Sequence, residues 1–410
     1  MRPPRLRAAH FLRQSNFMAK LRCFQVYYHH GTIEKSMRLL FCTHAIDNGG
    51  SGRSLFVLAR QLSHRHDIQV LSMLPPDPAK AALGNYAALG IPVHVFPHPS
   101  LRLAYVGCTA PPKITAQGVP SAPELPQTLA AWAETVCFNG FPCASLIPFF
   151  PEQRKVLIAR EVVLEESPEL DATGVFLREH LHAAAAIGPV EARQLARWGI
   201  PHRIIYNSPM KPPRFHPLPP TPPVRFGFFS ELRPQKGHDI LLNACLEAAT
   251  ALRAHRAEVH FYGVDTTRTD HPLVGQILDF LAHTGLEDIV HLHGWTDNVE
   301  KAMLSMHCIV KPDVIGQPWS RDIIEALSLG RPVIATGTEE GFIRHGENGL
   351  LLPPGNEYAL AAALARTAEH HQVLELAGRK AAATAASLFH PIRNAAGIES
   401  LLTGQARCHA

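Results

Sequence analysis

The chain has 410 residues, 46% apolar and 18% charged, with a formal net charge of +4. That length leaves room for two domains with cores of their own. The small net charge, with no basic stripe interleaved with aromatics, excludes a nucleic-acid-binding protein, and no apolar run reaches the ~20 residues of a membrane-spanning helix.

Residues 1–36 carry seven basic side chains (Arg2, Arg5, Arg7, Arg13, Lys20, Arg22, Lys35) against Glu34 alone. Such a start reads as a transit peptide or a lipid-touching basic arm. The plainer expectation is an extension upstream of Met37, disordered or loosely helical, because Met37-Arg-Leu-Leu-Phe-Cys-Thr runs straight into a first strand, Leu39–Thr43. Asp47-Asn-Gly-Gly-Ser-Gly-Arg follows, then a helix with Leu55, Leu58, Ala59 and Leu62 on one face. A glycine loop between strand and helix suits an anion, since small residues let backbone N–H groups approach it. It is neither GxGxxG nor a P-loop, as no GK[ST] follows.

Strands are expected at Ile68–Met73, Pro92–Phe96, Thr135–Phe138, Lys155–Ala159, Ala184–Gly188 and Arg203–Tyr206, with helices near Pro78–Leu89 and over Pro189–Trp198. Residues 97–124, rich in Pro, Gly and Ser, read as a long loop, an acceptor-side lid or disorder. Arg160 and Glu161 follow an expected strand end, where α/β sheets place chemistry; a surface ion pair is the alternative. Pro209–Pro223 holds eight prolines in fifteen residues and reads as a stiff connector and domain boundary.

The same rhythm resumes beyond it. Strands are expected at Arg225–Phe229, Val259–Gly263, Ile289–His293, Cys308–Val310 and Pro332–Ala335, and helices at Asp239–Leu252, His271–Leu281 and Val299–Met306. Helices near Glu357–His370 and Val373–Leu388 close the second domain, and Pro391–Leu402 is expected to cross back. The domain scheme is thus 1–36, 37–208, the 209–223 linker, 224–388 and 389–410. The eight cysteines show no CxxC pair and several lie in apolar runs, which fits free thiols in a reducing compartment. The 25 histidines show no HExxH-like spacing.

The most informative stretch is Lys311–Ala335. Its loop carries Pro312, Gly316 and Pro318, and Ser320 or Asp322 can cap a helix with Ile323, Ile324, Leu327 and Leu329 as apolar positions. That helix would point its free N–H groups and partial positive charge at a ligand, which suits a phosphate. The run Glu325-Ala-Leu-Ser-Leu-Gly-Arg-Pro-Val-Ile-Ala, with the phrase His345-Gly-Glu-Asn-Gly-Leu-Leu-Leu, resembles glycosyltransferase family 4, the retaining GT-B enzymes. The likeness covers about residues 37–400 and is strongest over 225–365.

The resemblance implies two Rossmann-like domains facing across a cleft, and transfer of a sugar from a nucleotide-sugar to an acceptor hydroxyl with retained configuration. It implies that Gly49 and Gly50 face the donor diphosphate, that Glu325 binds the ribose, and that Gly294 and Trp295 stand where the base is held. Two positions depart from the family. Gln317 replaces a glutamate that holds the donor sugar, and Glu231 replaces an arginine five positions before Lys236. A carboxylate about 5 Å from a phosphate would cost about 3 kcal/mol at an effective dielectric near 20. Either Glu231 points away or Arg233, two residues on, supplies the cation. The candidate catalytic set is therefore Lys236, Arg233, Arg160 and Glu161. Pro318, Trp319, Ser320 and Arg321 join Gln317 and Glu325 as donor-binding candidates. No metal and no cofactor are expected, since the chain has no DxD pair. The expected partners are a nucleotide-sugar donor and a glycan, lipid-linked or other hydroxyl acceptor. The expected location is the cytoplasm, with peripheral contact at the inner membrane face as a further option. Because of the two departures, a non-catalytic nucleotide-sugar-binding or scaffold protein and a GT-B epimerase stay open as alternatives.

Overall fold

A computed structural model describes residues 36–47, 49–76, 83–98, 124–163, 168–268, 271–316, 320–337 and 340–405. The basic extension, the helix start before residue 83, most of the 97–124 loop, and Gln317, Pro318 and Trp319 lie outside the described residues. From Arg38 onward the chain forms one compact unit.

Thirteen strands are described, all in parallel sheets. The first sheet holds β1 (Arg38–Thr43), β2 (Asp67–Ser72), β3 (Val93–Val95), β4 (Thr135–Asn139), β5 (Arg154–Ala159), β6 (Ala183–Ala186) and β7 (His202–Ile204), in the order β3-β2-β1-β4-β5-β6-β7. The second holds β8 (Val224–Phe229), β9 (Ala257–Tyr262), β10 (Val290–His293), β11 (Cys308–Lys311), β12 (Val333–Thr336) and β13 (Gly349–Leu352), in the order β10-β9-β8-β11-β12-β13. The inner strands β4, β6, β11 and β12 are buried at every residue. Helices on both faces produce this, and it is why these strands read as continuous apolar runs. Strand β9 differs: Ala257, Val259 and Phe261 are buried, while Glu258, His260 and Tyr262 face a half-open side.

Each expected strand is present to within a few residues. The expected helix over Asp239–Leu252 is two pieces, His238–Glu247 and Ala249–Ala254, because Ala248 leaves helical geometry at φ −89°, ψ 0°. Elements not anticipated include a helix at Glu124–Trp132, a 3₁₀ segment at Phe141–Phe149 and a helix at Pro168–His180.

Three helices position the site. Helix α1 (Gly50–Leu62) follows the first glycine loop and buries Leu55, Leu58, Ala59 and Leu62, as its spacing requires. Helix α2 (Arg321–Ser328) buries Ile323, Ile324 and Leu327. Helix α3 (Pro391–Leu402) packs on α1: Thr135 Oγ1 donates to Leu402 O at 3.2 Å, and Glu399 pairs with Arg65 and with His66 at 2.7 Å. Asn394 Nδ2 donates both to Tyr206 O (2.9 Å) and to Leu388 O (2.8 Å), so one side chain binds the two chain crossings together.

The proline connector is held by Arg331, whose side chain is almost fully buried. Its guanidinium donates to the carbonyls of His216 (2.8 Å), Pro217 (3.0 Å) and Leu304 (3.1 Å). Prolines lack N–H groups and cannot join a ladder, so the connector's carbonyls take their donor from outside it. Arg331 supplies it. The thiols of Cys42, Cys137, Cys143, Cys245 and Cys308 are free and buried, as expected.

Candidate active site

A cavity of about 330 Å³ opens between the two sheet domains. Gly49, Gly50 and Arg53 line it from the first domain, and Glu231, Lys236, Trp295, Ser320, Arg321 and Glu325 line it from the second. The carboxyl ends of β1, β8, β9 and β11 all lead into it, the expected place for a ligand in parallel α/β sheets.

Lys236 ends a 3₁₀ turn, Pro234–Lys236. Gly237 follows at φ +72°, and a Cβ there would sit 1.9 Å from Pro312 O. Only glycine permits that approach of two backbones. It brings Lys236 beside the loop after β11, where its Nζ is 3.7 Å from Asp313 Oδ2. Lys311 ends β11 with only 4% of its surface exposed. Its Nζ lies 3.6 Å from the same Asp313 oxygen and 3.8 Å from Asp322 Oδ2. Two ammonium groups and two carboxylates thus form one cluster at the cavity wall. Burial, followed by the neighbouring Lys311, lowers the pKa of Lys236, while Asp313 opposes the shift.

The amino end of α2 opens on the same cavity. Ser320 is its N-cap by backbone position, but its hydroxyl donates to the Asp322 carboxylate instead of a backbone N–H. The base of the helix is tied across the domains: Arg321 donates to Ser54 Oγ (3.1 Å) and Ser208 O (3.3 Å). Glu325 Oε1 takes Arg53 from the first domain at 2.8 Å and Arg321 at 2.9 Å. In this conformation the carboxylate expected to meet a ribose joins the two domains.

Arg233 is outside the cavity lining. It extends along a strand-like backbone (φ −140°, ψ 142°) and pairs with Glu231 at 3.0 Å, both half-exposed. The two side chains share one side of the extended segment, as period-two geometry requires, and of the two Glu231 lines the cavity wall. Of the Gly294–Trp295 pair, Trp295 lines the cavity with 64% of its surface exposed, whereas Gly294 does not.

Arg160 and Glu161 are also outside this cavity, and they are not a surface pair. Arg160 Nε donates to Asn139 Oδ1 (2.6 Å) and its Nη1 to Asn207 Oδ1 (2.5 Å), tying three strand ends of the first sheet. Burial lowers its pKa to about 10. Glu161 turns back to accept from Phe141 N at 2.8 Å and so caps the 3₁₀ segment. Gly140, at φ +105°, leaves room for it, since a Cβ there would lie 2.4 Å from Glu161 Oε1. Burial raises the Glu161 pKa to about 7 against these hydrogen bonds.

Sequence reasoning gave no role to Arg53, Lys311 or Tyr262 and read Asp322 as a candidate helix cap; all four line the cavity. A lysine closing an apolar strand was the available signal for Lys311. Arg53 stands one residue beyond the last glycine of its loop.

Residues 223–370, the body of the second domain, match the family model described as glycosyl transferases group 1. Over 90% of its length the chain superposes on Anabaena Alr3699/HepE, solved with UDP-glucose, covering all of that chain at TM-score 0.69 and 20% identity. Sucrose-phosphate synthase from Thermosynechococcus elongatus superposes over 90% of this chain and 99% of its own at TM-score 0.65 and 16% identity. The fold is GT-B. Two curated proteins share 31% identity over shorter stretches: exopolysaccharide phosphotransferase SCO2592 of Streptomyces coelicolor over 116 residues, and D-rhamnosyltransferase WbpZ of Pseudomonas aeruginosa over 124. The matches span only 12% and 32% of those two proteins. Among the described residues, no helix is long and apolar enough to cross a membrane.

Proposed function

We propose that this GT-B protein is a retaining glycosyltransferase of the family 4 type. It moves a sugar from a nucleoside-diphosphate sugar to an acceptor hydroxyl in glycan, polysaccharide or glycolipid synthesis at the cytoplasmic side. The observation that carries the reading is the interdomain cavity, where Lys236, Lys311 and the amino end of α2 face Gly49 and Gly50. In the reaction the bond from the anomeric carbon to the diphosphate oxygen breaks, the acceptor oxygen bonds to that carbon, and the hydroxyl proton is released. Negative charge gathers on the departing diphosphate. Fixed cations and backbone N–H groups at that place lower the barrier because they need no reorganisation as the charge develops. Retention rests on the family likeness.

A nucleotide enters by competing for Glu325. The carboxylate exchanges Arg53 and Arg321 for sugar hydroxyls, or keeps them and presents its remaining lone pairs. A second reading, donor binding without transfer, is favoured by the Glu231 carboxylate in the cavity wall. A thermal-shift screen against UDP, GDP and ADP sugars, followed by NMR of the product anomer, tests both. Stabilisation by one nucleotide class with transfer or slow hydrolysis supports the enzyme. Stabilisation without turnover supports the binder, interconversion of the donor supports an epimerase, and the absence of any nucleotide binding overturns all three.

A further inference from the structure

The half-open face of the second sheet carries a cluster that the sugar-transfer reading does not use. Strand β9 alternates, so Glu258, His260 and Tyr262 share one side. The parallel register sets His291 beside His260 and His293 beside Tyr262. Strand β10 is the sheet edge, so this side is reachable from solvent past Glu258, which keeps 30% of its side chain exposed.

Two adjacent parallel strands thereby bring two imidazoles and a carboxylate to one point. His260 Nε2 lies 3.2 Å from Glu258 Oε2. One ligating atom from each of Glu258, His260 and His291 fits within 4.8 Å of the others. Tetrahedral bonds of about 2.0–2.1 Å separate neighbouring ligand atoms by about 3.3 Å. The His260–Glu258 pair already has that spacing, and His291, within 4.8 Å of both, needs a side-chain movement of at most about 1.5 Å to match it. The second ring nitrogen of His260 is also held: Nδ1 lies 3.0 Å from His293 Nε2. Metal-binding histidines are oriented by such a contact on the nitrogen that does not bind. Arg225 Nε stands 3.3 Å from Glu258 Oε2, and the carboxylate's other oxygen leaves it a place when a metal takes this one.

We propose that Glu258, His260 and His291 bind a late first-row divalent metal ion such as Zn²⁺ or Co²⁺, with His293 orienting His260. Two imidazole donors select these ions over Mg²⁺ or Ca²⁺, which prefer oxygen. The site is separate from the donor cavity but adjoins its wall, because His293 stacks on Tyr262 with ring centroids 4.5 Å apart.

The test uses the full chain without a histidine tag, stripped of metal with a chelator. Cobalt titration is followed by visible absorption, and Zn²⁺ and Mg²⁺ binding by calorimetry. One equivalent of Co²⁺ and Zn²⁺ is expected to bind in the micromolar range or tighter, with no Mg²⁺ uptake. His260→Gln and His291→Gln should each raise Kd at least tenfold. His293→Gln should raise it less and shift the cobalt spectrum. Circular dichroism checks folding, and Glu258→Gln, at a more exposed position, gives a second route if a histidine variant does not fold. Absence of a stoichiometric site, or wild-type affinity in the folded His260→Gln, His291→Gln and Glu258→Gln variants, overturns the proposal.

Discussion

Replacing Lys236 with methionine removes one charge from the cavity wall and keeps most of the side-chain volume. In the free protein two lysines face two carboxylates, Asp313 and Asp322, at 3.6–3.8 Å. The group is close to neutral, and without Lys236 it carries a net negative charge toward an incoming diphosphate. One unit charge at about 5 Å and an effective dielectric near 20 is worth about 3 kcal/mol. Affinity for the free nucleoside diphosphate should therefore fall about 100-fold, and turnover should fall at least as far, because the charge on the leaving group grows in the transition state. Asp313 keeps Lys311, so folding should be little affected. Calorimetry with the nucleotide chosen by the thermal-shift screen measures the affinity, and a coupled release assay measures turnover. A Lys236→Met protein that binds the diphosphate within threefold of wild type would refute the assignment of the phosphate to this cluster.

Gly237→Ala should be worse than its size suggests. The added methyl lies 1.9 Å from Pro312 O and must force the two loops apart by about 1 Å, on top of roughly 1 kcal/mol for a left-handed alanine. Lower thermal stability together with weaker diphosphate binding is expected; unchanged binding would show that the Lys236–Asp313 spacing is not set there. For Glu161, raised to about 7 from an ordinary 4.5, the native state retains a proton that the unfolded chain has given up. Its contribution to stability therefore falls as pH climbs from about 4.5 through 7 and is constant above. At about 1.4 kcal/mol per unit the full effect is about 3 kcal/mol. Glu161→Gln still accepts from Phe141 N and should flatten this part of the urea-unfolding profile between pH 5 and 8. Glu191, also raised to about 7 by burial, preserves the remaining slope. A profile identical to wild type would show that Glu161 is ionised freely in the native protein.

The strands were legible because buried parallel strands are short apolar runs bounded by turn residues, and Val-Ile-Ala after Pro332 is as clear as such runs become. The 3₁₀ segment Phe141–Phe149 gave no such signal: it is apolar on all sides and holds Pro142 and Pro148, so neither helical nor strand periodicity can emerge. The helix Pro168–His180 hides for another reason. Its Gly174 looks like a breaker but lies under the Trp198 ring, where a Cβ would come within 2.2 Å. In the site, Lys236 and the Ser320–Glu325 turn could be read locally, as each belongs to one strand–loop–helix unit. The Lys311–Asp313–Lys236 cluster could not, because it depends on two separate loops meeting at Gly237. Arg160 and Glu161 could be placed at a strand end from sequence, but not their partners, since Asn139, Asn207 and Phe141 come from other strands and loops.

Because Asn394 clasps Tyr206 and Leu388, the polypeptide passes between the halves twice at nearly one spot. Two tethers side by side behave like the pins of a door. Swinging about the line through them is easy, whereas sliding or twisting apart must first break that clasp. The Arg53–Glu325 contact lines one pocket with Pro209–Arg214 of the connector, so it sits beside those pins and braces the hinge at its base.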